Sequence, residues 1–529
     1  MDDIEDIINK CGKSKAREQY NELISKGVSR NFDVEFRLKT KKSRSNSGVL
    51  VITVVLAPSQ FSCSNDCHYC PNQPGTARSY LDNEPAVARG KSVGYDAFEQ
   101  VVKRLSMLGK NGHTLQKLEI IVLGGTFSDY PRKYQEEFLR DVFFAANTYG
   151  TELRDRKSIL EEQLINENTV YKIIGISLET RPDKITKHEL MRFRKLGCTR
   201  VQIGVQHTSN EILSIVNRGH TVEQSVRAIK LLRNYGFKVD VHVMPDLPGT
   251  TPELDKVMLQ TVLTHSDFKP DYLKIYPCLD VEYTEIRKWK QSGKWNPYAE
   301  SDDGSLIIDV CLHAKIHSQY YTRFNRIQRD FCEENIEKDV KGYNSQNIRS
   351  NFRQILQNEA KKKNITCKCI RCCEVGSKSF DSYYIHIDKY VASSGVEYFI
   401  CAANNDRTIL YGFVRLRLSG ENYRGYALIR ELHVYGTICN FTDANVSATQ
   451  HKGIGTLLMI FAQFYATLNG YKTISVISGV GVRNFYRKLH YKYNTDGYYM
   501  TKTTNVIFCF FQLIYYCIAH IFQKKLLIF

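Results

Sequence analysis

Six apolar runs of strand length, each separated from the next by helical-period sequence, set the strongest limit on what this chain can fold into. "VLVITVVLA" (Val49 to Ala57) is continuous and β-branched, and "LEIIVLGG", "KIIGISLE", "RVQIGVQ", "VDVHVMPDLPG" and "YLKIYP" follow it. Between them lie stretches such as "DAFEQVVKRLSML" and "TVEQSVRAIKLLRNYG", whose apolar residues recur at helical spacing. Strands apolar on both faces that alternate with helices predict βα units around a parallel sheet, here a partial or full α/β barrel. In such barrels the reactive groups gather at the C-terminal ends of the strands.

"CSNDCHYC" (residues 63–70) stands in the loop after the first of these strands. A structural zinc site normally closes with four protein ligands, whereas an iron-sulfur cluster held by three thiols keeps one iron open. Cys63, Cys67 and Cys70 therefore suit a cluster; half of a zinc site completed by remote residues is the alternative. Two further strand ends carry chemistry. "GGTF" puts Gly124 and Gly125 where a ligand can approach the backbone closely, and "LETRPD" puts Glu179 at the end of the third strand. The N-terminus "MDDIEDIINK" lacks the pattern of a secretory signal, so the sixteen cysteines read as buried, metal-binding or catalytic rather than as a disulfide framework. The net charge of +17 favours an anionic partner such as nucleic acid or acidic lipid.

The pattern changes after Trp295. Within "EAKKKNITCKCIRCCEV", Cys367, Cys369, Cys372 and Cys373 suggest a structural zinc site, with His313 or His317 as a candidate fourth ligand; free cysteines in a turn are the alternative. From "YYIHIDKYVASSG" onward short strands alternate with turn residues, as in an antiparallel sheet. "RELHVYG" then precedes "QHKGIGTLLMIFAQFYATL", a glycine-containing loop opening an apolar helix, whose N-terminal amides suit a pyrophosphate.

The cysteine loop and the strand ends resemble those of radical S-adenosylmethionine enzymes. That resemblance implies a 4Fe-4S cluster on Cys63, Cys67 and Cys70, with S-adenosylmethionine on its open iron. It places Tyr69 near the adenine, Gly124 and Gly125 beside the methionyl group, and Glu179 as a cofactor contact. The Q-x-x-G-x-G loop resembles the acetyl-CoA signature of GNAT acetyltransferases, which places Gln450, Lys452, Gly453, Ile454, Gly455 and Thr456 along the phosphates, and Phe485 and catalytic Tyr486 near the thioester. The fold implied is α/β: a radical (βα) barrel followed by a GNAT α+β domain, with a short hydrophobic C-terminal helix.

One family joins these modules in this order, the catalytic subunit of Elongator, elongator protein three. "GCTRVQIGVQ", "NRGHTVEQ", "FKVDVHVMPDLPGT", "GIGTLLM" and "VISGVGVRNFYRKL" carry the likeness, which spans roughly Arg37 to Lys502. It implies that a 5'-deoxyadenosyl radical removes hydrogen from the acetyl methyl of acetyl-CoA. The resulting carbon radical adds to C5 of the wobble uridine in tRNA, and thioester hydrolysis leaves 5-carboxymethyluridine. Partners implied are tRNA and other Elongator subunits, with a homodimer in view. Basic segments such as "RLKTKKSRS" and "RFNRIQR" suit phosphate contacts. The chain departs from the family at Phe485, where a second tyrosine is usual, at His490, where glycine is usual, and in its short N-terminal arm. The contrasting reading is a protein lysine acetyltransferase acting on histone or tubulin. Its general base would have to be Glu431, the one carboxylate of "RELHVYG".

These readings divide the chain into a short basic arm (1–48), a radical S-adenosylmethionine barrel (49–298), a linker with the cysteine-rich site (299–380), an acetyltransferase domain (381–504) and a hydrophobic tail (505–529). The tail segment "VIFCFFQLIYYCIAHIF" is at the lower edge of bilayer-spanning length. It is expected to anchor a cytoplasmic enzyme to an organelle membrane, with a packed helix as the alternative.

Overall fold

A computed structural model describes residues 2–27, 32–40, 47–58, 63–329, 352–376, 378, 382–436, 453–494, 496, 498–522 and 527. Seven parallel strands form the first sheet in sequential order: β1 (Leu50–Val55), β2 (Lys117–Leu123), β3 (Lys172–Thr180), β4 (Arg200–Gln206), β5 (Lys238–Val243), β6 (Tyr272–Ile275) and β7 (Arg323–Ile327). Among the described residues β1 and β7 do not pair, so the barrel is partial. The sheet runs past residue 298 to β7, whose "RFNRI" is part of the segment that sequence assigned to tRNA contact. That assignment is corrected for two of its arginines: Arg323 pairs with Glu374 at 2.8 Å and Arg329 with Glu84 at 2.6 Å.

Each strand has two faces with different tasks. In β2, Leu118, Ile120 and Val122 enter the core, while Lys117, Glu119 and Ile121 alternate toward the barrel interior and stay half-buried. The helix Ala97–Lys110 covers the core face with Val101, Leu105 and Leu108, and starts where the Asp96 side chain accepts from the Glu99 amide.

The second sheet is mixed, in the order β13-β14-β12-β11-β10-β9-β8. Its strands are β8 (Tyr384–Ala392), β9 (Gly395–Ala403), β10 (Leu410–Leu418), β11 (Ala427–Val434), β12 (Thr473–Val476), β13 (Lys492–Asn494) and β14 (Tyr499–Thr503). Only β11 and β12 run parallel, and they pair just from Ala427–Ile429 to Ile474–Val476; β11 then parts from β12 and continues to Val434 paired with β10 alone. The helix Ile454–Leu468 packs on this sheet through Leu457, Leu458, Ala462 and Ala466.

The two sheets are joined by a buried ionic network. Arg430 of β11 grips Asp271, just before β6, with bonds of 2.6 and 2.7 Å, and holds Glu397 of β9 at 2.9 Å. On the other side the chain presses backbone on backbone: a Cβ on Gly479 would lie 1.8 Å from the Ile174 carbonyl oxygen, and one on Gly481 would lie 2.6 Å from Lys172 Cβ.

The tail forms a helix, Val506–Phe522, and packs along the Ile454–Leu468 helix. Cys509 and His520 are buried in that contact, and Tyr516, Cys517 and Ile521 join the second core. Tyr383 and His520 Nδ1 are 2.6 Å apart, and Leu527 N donates to the Tyr383 carbonyl. The expected membrane anchor is corrected accordingly: no helix among the described residues is long and apolar enough to cross a membrane, and one side of this helix is covered by protein.

Candidate active site

The loop after β1 places Cys63, Cys67 and Cys70 at one end of a cavity of about 1320 Å³. Their surroundings compensate negative charge. Arg218 and Arg181 donate to Cys67 Sγ at 3.6 and 3.7 Å, and Thr126 Oγ1 donates to Cys63 Sγ at 3.3 Å. Burial alone would raise the Cys67 thiol, yet the two guanidiniums win and its pKa falls below the ordinary value. The half-buried Cys70 is raised by desolvation and by its thiol neighbours, with Arg78 opposing. Among the described residues the three thiols do not draw together into a single-ion site, whereas Cys367, Cys369 and Cys372 do. A group larger than one ion, held by three thiolates beside three arginines, fits this end. A 4Fe-4S cluster is such a group.

Tyr69 is buried in the same loop, its phenol pushed well up by burial. Gly124 and Gly125 follow β2 at φ 149° and 82°, and a Cβ on Gly125 would meet the Arg78 carbonyl oxygen at 2.9 Å. Glu179 lines the cavity and accepts from the Tyr80 hydroxyl at 2.6 Å; burial raises its carboxyl above the usual range, with Lys274 opposing. Sequence alone carries no sign of Arg218 in "NRGH", of Arg181, two residues after Glu179, or of Tyr80. Nothing in their spacing ties them to the thiols; the fold does.

The cavity continues down the barrel interior in layers. Around Lys274 stand Gln202, which accepts from its ammonium, Asp240, which also accepts from Asn325 at 2.8 Å, and Glu179. Below them lie Lys238 and the Glu119–Arg200 pair at 3.1 Å. At the floor the Tyr272 hydroxyl donates to Glu431 of β11, which Arg415 holds at 2.9 Å. Burial would raise Glu431, but Arg415, Lys238 and His433 keep its carboxyl below the ordinary value.

At its far end the same cavity is lined by Gly453, Ile454, Gly455, Thr456, Phe485 and Tyr486. These residues surround the place where β11 and β12 part. Gly453 caps the Ile454–Leu468 helix at φ 85°, a left-handed position that favours glycine. Phe485 and Tyr486 meet edge to face at 5.3 Å, and burial raises the Tyr486 phenol. His490 takes φ 66° after the helix Arg483–Lys488, again a glycine-favouring conformation. Gln450 and Lys452 lie outside the described residues.

Cys367, Cys369 and Cys372 form a separate group, with ligand atoms all within 4.8 Å of one another. The group includes neither His313 nor His317, whose rings meet at a tilt with centroids 4.2 Å apart, nor Cys373, whose thiol donates to the Lys368 carbonyl.

A parallel half-barrel with a three-cysteine loop defines a radical S-adenosylmethionine protein, and the Radical SAM superfamily model matches residues 58–260. The chain is 37% identical over 486 residues to the "tRNA uridine(34) acetyltransferase" of Methanocaldococcus infernus, covering 88% of this chain and 87% of that one. It is 34% identical to "Elongator complex protein 3" of Homo sapiens, covering 88% and 86%. A solved structure of the archaeal M. infernus Elp3, lacking its N-terminal segment, superposes with a TM-score of 0.73 at 34% identity, covering 87% of this chain and 100% of that chain. The chain belongs to the Elongator complex protein 3 family.

Proposed function

We propose that this protein converts uridine 34 of tRNA to 5-carboxymethyluridine, with S-adenosylmethionine and acetyl-CoA as co-substrates. The observation that carries the reading is one cavity with the three-cysteine loop at one end and the parted strands β11 and β12 at the other. Its volume of about 1320 Å³ exceeds the roughly 300–1,000 Å³ of a single small-molecule site, which suits two co-substrates and a base. The names of the relatives point to the same nucleoside and the same acyl chemistry.

When bound, a cluster on Cys63, Cys67 and Cys70 with S-adenosylmethionine supplies a carbon-centred radical. That chemistry is required because a thioester methyl is far too weak an acid for a side-chain base at neutral pH. Arg218, Arg181 and Arg78 balance the charge of the thiolates. We read the second sheet as a GNAT acyl-CoA site: the parted strands admit a pantetheine arm, the amides opening the Ile454–Leu468 helix receive its phosphates, and Tyr486 stands by the thioester. The chain's excess of positive charge suits the tRNA backbone. We read Cys367, Cys369 and Cys372 as three ligands of a structural zinc ion.

Lysine acetylation is the weaker reading. Its required base, Glu431, is engaged by both Tyr272 and Arg415 and is held ionised by cations, which makes it a poor proton acceptor. Acetyl-CoA hydrolysis should rise on adding tRNA, and the Gly453→Glu plus Gly455→Glu variant should lose it. Peptide acetylation at a comparable rate without tRNA, untouched by cysteine substitutions, would favour the lysine acetyltransferase.

A further inference from the structure

The three-cysteine loop sits at the C-terminal end of the half-barrel, and the acyl-CoA end lies beyond the N-terminal starts of the strands. These ends are roughly 20 Å apart, the length of a six-residue strand such as β1. A hydrogen atom moves only between groups in contact, so the acyl methyl has to cross that distance.

The wall of the cavity marks the way. Inward residues line it at every second position: Val51 and Thr53 on β1, Glu119 and Ile121 on β2, Lys238 and Asp240 on β5. Each is followed by an outward neighbour committed to the core, Ile52, Ile120 and Val239 among them. The cavity therefore runs the length of the barrel interior. Passage around the outside is closed on two sides. Gly479 and Gly481 lie against the backbone of β3, and beside β6 the Asp271–Arg430 pair is fully buried.

We propose that the acyl thioester reaches the radical through the interior of the half-barrel, entering past the Tyr272–Glu431 bond. This rests on the reaction proposed above and adds its path. The lining suits the cargo. A pantetheine arm carries amides and a thioester carbonyl, and the interior offers Arg200, Lys238 and Lys274 as donors and Glu119 and Gln202 as acceptors. Val51, Thr53 and Ile121 lie beside Glu119 on β1 and β2, with Val51 paired to Glu119 and Thr53 to Ile121, and offer surface for the methylene chain.

The test is to block the passage midway while leaving both ends untouched. Ile121→Trp and Thr53→Trp each add bulk into open space rather than into the packed core. Each variant is loaded with cluster, S-adenosylmethionine, tRNA and acetyl-CoA deuterated at the methyl. In the hydrogen-transfer step a methyl C–D bond breaks, the deuterium atom passes to the 5'-carbon, and the unpaired electron stays on the former methyl carbon, next to the thioester carbonyl. Both variants should keep their iron content, their acetyl-CoA Kd and the S-adenosylmethionine cleavage seen without tRNA, each within about twofold, while deuterium in 5'-deoxyadenosine falls about 100-fold. Ile121→Val should transfer deuterium normally. Undiminished transfer in both tryptophan variants would overturn the path, and so would a loss of acetyl-CoA binding or cleavage equal to the loss of transfer. Absence of deuterium transfer in the unsubstituted protein would overturn the reaction, and the path with it.

Discussion

Tyr272, on a strand of the half-barrel, donates its hydroxyl to Glu431, on a strand of the second sheet. This bond crosses the boundary between the two modules at the floor of their common cavity, one position along the chain from Asp271, just before β6, and from Arg430 of β11. The two halves are thus tied together where, on the path proposed above, an acyl group passes between them.

The Asp271–Arg430 pair should be a large stabiliser that depends on pH. Arg430→Met leaves a buried carboxylate without its main partner and should cost about 3–5 kcal/mol in denaturant unfolding. Burial alone would raise Asp271, but Arg430 and Arg415 hold its carboxyl well below the usual range. Its contribution is therefore complete above the unfolded carboxyl pKa of about 4 and is lost as pH falls below that toward the folded value. Unfolding midpoints of the unsubstituted protein should drop steeply below about pH 4. Arg430→Met should lose much of that dependence, and a variant as stable as its parent at pH 7 would refute the role.

The two cysteine groups should separate by metal analysis. Replacing Cys63, Cys67 and Cys70 with Ala should remove iron and the reductive cleavage of S-adenosylmethionine while zinc stays near one per chain. Replacing Cys367, Cys369 and Cys372 with Ser should remove the zinc, lower thermal stability and spare the iron. Iron retained by the first variant would contradict the assignment of the cluster.

Much of the barrel was legible in sequence because each strand sets a regular row of apolar residues into the core, as in Leu118, Ile120 and Val122, with helical-period sequence between strands. The strand β7 was not, since Arg323 and Arg326 of "RFNRI" face the cavity and give the run a polar look. The thiols of the active site were legible from their spacing, but Arg218 and Arg181 reach Cys67 from positions more than a hundred residues away in sequence. Such partners are products of the fold. The tail misled for a related reason: hydropathy counts apolar residues without regard to side, and Cys509, Tyr516 and His520 turn toward the second core while Phe511 and Tyr515 remain exposed.

Removing residues 505–529 should destabilise the second module. The lost packing of Cys509, Tyr516, Cys517 and Ile521 corresponds to roughly 3 kcal/mol or more, and the Tyr383–His520 bond goes with it. Thermal unfolding of the truncated chain should begin several degrees lower, with weaker acetyl-CoA binding because His520 stands 3.0 Å from a Cβ placed on Gly453. Unchanged melting and unchanged affinity would mean the tail is not part of this core.

Nucleoside mass spectrometry shows whether both ends of the cavity serve one reaction. The reconstituted protein is incubated with a reductant, S-adenosylmethionine, acetyl-CoA deuterated at the methyl and unmodified tRNA. The product should be 5-carboxymethyluridine at position 34 that retains two of the three methyl deuteriums, with the third in 5'-deoxyadenosine. Unmodified uridine 34 together with deuterated acetyl groups on lysine side chains would contradict it.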